Sequence, residues 1–139
     1  MASKAPTLDQ LYKVYKNFES VINTLRDYLK DIGSVALTRE GEARITLPMD
    51  RVDFYMDTET LILRTGKFTL NYTSEGGSLE MRVFADDHIA SIIITSGVAV
   101  GVYTNQGSIV VVLRLAYVSA STRVIINKFA REPQALVHN

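Results

Sequence analysis

Between His88 and Arg114 the chain carries no charged residue, and the apolar side chains of this run are mostly β-branched: Ile92, Ile93, Ile94, Val98, Val100, Val102, then Ile109 to Val112. Such side chains are stiff at χ1 and fit a pleated, packed surface, so Ile89 to Val118 reads as buried strand. Whatever else the chain builds has to shield this stretch from water.

A membrane-spanning helix is the rival reading of so long an uncharged run. Thr104, Asn105, Gln106, Gly107 and Ser108 interrupt it, and five polar or helix-poor residues together are costly in hydrocarbon. Strands at Ile89 to Thr95, Val98 to Tyr103 and Ser108 to Val118, with turns at Ser96-Gly97 and Thr104 to Gly107, account for the pattern better. No membrane span is therefore expected.

Thr7 with Gln10 three places on forms a capping-box pattern, and Asp9, Lys30 and Gly33 suit the two ends of one helix over 7–32. Leu8, Leu11, Tyr15, Phe18, Ile22, Leu25, Leu29 and Ile32 recur at alternating steps of three and four. That seam suits either a coiled coil or a sheet face, and Val14, Val21 and Tyr28 widen it toward the sheet. So long a helix overhangs an ordinary strand, which leaves part of it for a second copy. Leu11, Tyr15, Phe18, Ile22, Leu25 and Leu29 are accordingly the candidate interface residues.

From Ser34 onward the apolar period is two. A hairpin turns at Glu40-Gly41 and ends at Pro48; Val52, Phe54 and Met56 alternate with charged or polar residues; Leu61 to Thr65 follows. Phe68, Leu70 and Tyr72 alternate most cleanly, and Glu75-Gly76-Gly77 leads into Leu79, Met81 and Val83. Thr122 to Phe129 reads as the last strand, with a loose tail over 130–139 and a short extension over 1–6. The first half of the sheet is amphipathic and the second is apolar on both faces. It needs a second cover: a curled barrel, a second sheet or another subunit.

The expected fold is one α+β domain over 1–139, a long N-terminal amphipathic helix packed on a curled, mostly antiparallel sheet or barrel of about eight to ten strands spanning 34–129. The absence of cysteine excludes a disulfide framework and thiolate metal sites. Met-Ala-Ser-Lys-Ala-Pro lacks the apolar run of a signal peptide, which makes the cytoplasm the expected compartment.

Net charge is zero, but residues 1–33 hold five basic and four acidic groups, 34–88 six and ten, and 89–139 four and one, giving +1, −4 and +3. Asp86, Asp87 and His88 form the one carboxylate and imidazole cluster, though adjacent residues diverge and Asp-Asp is common turn material. Arg114 interrupts an apolar run, where a guanidinium is costly unless it pairs with a carboxylate, a phosphate or an acidic residue of the middle strands. With Arg123, Lys128 and Arg131 it makes up the ligand or partner candidates. Scattered aromatics raise single-stranded nucleic-acid binding as a third possibility, disfavoured because acids outnumber the neighbouring cations.

No P-loop, dinucleotide fingerprint or nucleophile elbow is present, and no acid, base and nucleophile set assembles by spacing. No cofactor or metal is implied. The expectation is a non-enzymatic, self-associating protein-protein interaction or structural module, a homo-oligomer or the partner of another protein. A barrel around a small apolar ligand is the alternative class.

Overall fold

A computed structural model describes residues 8–38, 41–115 and 122–128, with backbone alone for Leu8, Gln10, Leu11, Lys13, Val14, Leu115 and the 122–128 strand. The Thr7 end of the capping box, the 1–6 extension, the 130–139 tail and Arg131 lie outside the described residues.

Helix α1 runs Leu8–Leu29, three residues short of the expected Ile32. The amides of Ile32 and Gly33 both donate to the Leu29 carbonyl, at 3.0 and 2.9 Å, and close the last turn. Gly33 then passes so close to Thr46 that an added Cβ would stand 2.2 Å from its carbonyl oxygen. Phe18, Val21, Ile22, Leu25 and Leu29 are buried on one face. Val21 lies beside the heptad seam, so the apolar stripe has the breadth that sheet packing demands.

Ten strands follow among the described residues: β1 (Ser34–Leu37), β2 (Glu42–Pro48), β3 (Asp53–Met56), β4 (Thr60–Arg64), β5 (Phe68–Thr73), β6 (Ser78–Phe84), β7 (His88–Ile94), β8 (Val98–Asn105), β9 (Ser108–Leu115) and β10 (Thr122–Lys128). Short 3-10 turns at Met49–Arg51 and Glu75–Gly77, which periodicity does not signal, link β2 to β3 and β5 to β6. All strand pairs are antiparallel. They form two sheets, in the orders β1-β2-β9-β8 and β10-β7-β6-β5-β4-β3.

The expected single curled sheet or barrel is therefore corrected. A barrel requires the two edges of one sheet to hydrogen-bond, whereas here the chain divides its strands between two open sheets that share one core. The uncharged stretch is itself divided: β7 lies in the six-stranded sheet, and a bend at Ser96-Gly97 carries the chain into the other, where β8 and β9 pair.

Alternate residues of each strand face the shared core. Ile45 and Leu47 of β2 and Ile109, Val111 and Leu113 of β9 are buried with Leu63, Leu70, Met81, Val83, Ala90, Ile92 and Ile94 of the other sheet. Each fully buried Leu, Ile or Phe contributes roughly 1.5–3 kcal/mol. A second sheet, rather than a closed lumen, thus covers the inner face of the C-terminal strands.

Helix α1 contacts β1, β10 and β6, so it lies along the side where the edge strands β1 and β10 end the two sheets. Arg26 seals that side by donating from Nε to the Val35 carbonyl of β1 at 3.0 Å. Every described helix side chain before Phe18 is exposed, with Tyr12 at 63% and Tyr15 at 37%.

Candidate docking groove between two open edges

Opposite the helix, β3 and β8 end the two sheets, each with one hydrogen-bonded neighbour among the described residues. All four residues of β3 are exposed. Phe54 and Met56 stand opposite Leu63 and Leu61 of β4, on the core-facing side of the sheet, yet remain 42% and 58% exposed. The alternation that marks them as inward-facing is correct, but neither is covered by the described residues.

The hollow between the two edges holds about 220 Å³. Met56, Leu61 and Tyr72 line one wall and Val100, Gly101 and Val102 of β8 the other, with Asp57 and Glu59 among the turn residues at the rim. Along β8, Val100 and Val102 are half-buried while Ala99, Gly101 and Tyr103 are exposed. No residue from Val98 to Asn105 is charged or proline. An added Cβ at Gly101 meets nothing within 4 Å, so the outer side of this edge is open.

The rim is rigid. Asp57 Oδ1 accepts from the amides of Glu59 and Thr60, each at 2.8 Å, and from the Thr60 hydroxyl, while Oδ2 accepts from the Tyr55 phenol. These donors, the Glu59 amide foremost, hold the Asp57 carboxyl down at about 2. The same bond raises the Tyr55 phenol above its ordinary value. Tyr72 reaches across the groove floor and donates to the Val98 carbonyl.

The residues singled out from sequence fall elsewhere. Phe18, Ile22, Leu25 and Leu29 are spent on the chain's own core, at 1% exposure or less. Tyr15 is part-exposed, and the Leu11 side chain lies outside the described residues. Arg114, in β9, points away from the core and pairs with Glu42 of β2, its register partner. The Arg114 guanidinium, helped by Arg44, lowers the Glu42 carboxyl below its ordinary value. Backbone pairing sets Arg123 opposite Ile93 and Lys128 opposite His88, but the side chains of Arg123 and Lys128, and all of Arg131, lie outside the described residues.

Asp86-Asp87-His88 does form a turn, closed by the Ala85 amide on the His88 carbonyl at 2.9 Å. His88 then makes a contact that sequence spacing does not show: Asp87 Oδ1 lies 2.7 Å from its Nδ1 and the Tyr28 hydroxyl 2.5 Å from its Nε2. The ring of His88 thus bridges Asp87 and Tyr28, and the helix is pinned to the start of β7. Among the described residues no group of three or more His, Asp or Glu side chains is placed to hold a metal ion.

The exposed rings Phe54 and Tyr55 are neighbours on a strand and so face opposite sides, and Tyr103 belongs to the other sheet. They do not make one stacking platform. Among the described residues no helix is long and apolar enough to cross a membrane. No family model matches the chain, and neither the curated proteins nor the solved structures give a match to it.

Proposed function

We propose that the protein is a non-enzymatic, self-associating interaction module in which β8 of one copy pairs antiparallel with β8 of another. The observation that carries this reading is the contrast between the two sides of the sandwich. On one side α1 lies along β1 and β10, and Arg26 occupies an edge carbonyl. On the other, β8 presents an uncharged, proline-free edge beside exposed Phe54 and Met56. Isolated proteins blunt such edges with lysine, proline, a bulge or a covering helix. A pairing strand supplies the missing backbone partners, and its side chains reach the groove.

A two-fold axis suits this edge because each residue then meets a neutral counterpart, without like-charge repulsion. Helix α1, packed against β1 and β10, lies away from this edge.

Light scattering tests the reading. The wild-type protein should have the mass of a dimer or larger assembly, and Gly101→Lys should reduce it to a monomer that still unfolds cooperatively, since the new side chain enters open space within its own chain, with a melting temperature lowered only by what association contributes. A wild-type protein that stays monomeric at high concentration overturns it.

A further inference from the structure

At the opposite end of β4 from the groove lies a second hollow of about 220 Å³, where the chain crosses from one sheet to the other. Fully buried Leu47 and half-buried Ile32 and Pro48 form its walls. Arg51, from the 3-10 turn, and Lys67, from the β4–β5 turn, stand at its rim, both exposed. Neither makes an ion pair with a described residue.

The chemistry of this arrangement is that of an amphiphile site. Long cationic side chains lay their methylene stems along apolar surface and keep their charged ends in water. Here two stems extend a carbon-lined hollow whose mouth carries two positive charges and no negative one. Water inside it finds few polar partners, so an alkyl group that displaces it loses little and gains apolar contact. The volume lies below the roughly 300–1,000 Å³ of sites for drug-sized ligands, which favours a small occupant, and a body built on one leucine-sized apolar group fits with room for its charged end.

We propose that this pocket binds a small carboxylate on a short branched apolar body, its alkyl group against Leu47, Ile32 and Pro48 and its carboxylate between Arg51 and Lys67. The same chemistry comes either as a free acid or as the C-terminal leucine of a peptide. The pocket does not depend on the pairing of β8, which lines neither wall.

The test is amide chemical-shift titration of the full chain with isocaproate, isocaproamide and N-acetyl-glycyl-leucine. An anionic probe should bind with a dissociation constant of about millimolar, shifting the Leu47, Gly66 and Lys67 amides, and the neutral amide should bind more weakly. Isocaproate binding assigns the site to a free acid; binding by the peptide alone assigns it to a chain terminus. The double substitution Arg51→Gln, Lys67→Gln neutralises both charges at exposed positions and keeps part of each stem and the buried walls, so the fold is kept. It should weaken the anionic probe roughly fivefold and leave the amide unaffected, the scale expected for exposed charge pairs. No shifts with either anion, or equal binding of acid and amide, overturns the proposal.

Discussion

The phenol of Tyr72, in the six-stranded sheet, donates a 2.9 Å hydrogen bond to the carbonyl of Val98, the first residue of β8 in the other sheet. One bond thus clamps the two layers where the groove opens. Tyr72→Phe keeps the ring and removes the clamp. The urea midpoint should fall by the equivalent of about 1 kcal/mol, the usual net worth of such a bond. Burial also raises the Tyr72 phenol above its ordinary 10.0. A raised folded value means stability fully present below the unfolded value and lost as pH climbs from there through the folded one. The wild-type protein should therefore weaken on the alkaline side, and the phenylalanine variant should lack that component.

Asp57 sets the opposite limit. Its carboxyl is lowered from 3.8 to about 2, so its contribution is complete above the unfolded value and is lost as pH falls through about 2. Hydrogen exchange at the Glu59 and Thr60 amides, which it accepts, should accelerate relative to neighbouring amides across that acid window. Asp57→Asn, which keeps one acceptor oxygen but no charge, should show faster exchange already at neutral pH and no acid step.

Two glycines separate a packed backbone from an open one. At Gly33 an added Cβ would stand 2.2 Å from the Thr46 carbonyl oxygen and 2.8 Å from Leu47 Cδ2. Gly33→Ala should destabilise by about 1–3 kcal/mol, since the junction leading into β1 and the β2 backbone have to separate to admit it. Gly101→Ala, where nothing lies within 4 Å, should melt within a degree or two of wild type or slightly higher. Equal losses at both positions would contradict the close approach of the α1–β1 junction to β2.

Phe18 marks where α1 meets the core, at 1% exposure. Phe18→Ala should cost about 3–5 kcal/mol through the cavity it leaves. Phe18→Asp should abolish the cooperative unfolding transition altogether, because a carboxylate there has no partner. Near-normal melting of the aspartate variant would mean that this face of the helix is not the buried one.

Much of the strand layout was legible because local chemistry writes it. Gln106 and Gly107 both adopt positive φ, +49° and +83°, and the polar Thr104 to Gly107 run marks that turn between two apolar strands. The Phe68–Thr73 strand follows its alternation to the residue. Distribution between sheets was not legible. Ser96-Gly97 resembles a hairpin turn, yet it sends β7 and β8 into different layers, a choice made by tertiary packing with no local signature. The exposure of Phe54 and Met56 was hidden for the same reason: period two says which way a side chain points, and only the opposite sheet decides whether anything covers it. Tyr28 and His88 are sixty positions apart, so their contact has no counterpart in spacing.

The pairing of β2 with β9 brings Glu42 beside Arg114, 72 positions later. A ribosome therefore releases the first hairpin long before the strand that completes its sheet, while the meander from β3 to β7 joins each strand to the one just made. Nascent chains should pass through an intermediate in which that meander is assembled and Ile45 and Leu47 still wait in water, the stage at which this polypeptide is most exposed to misassembly and most in need of a chaperone.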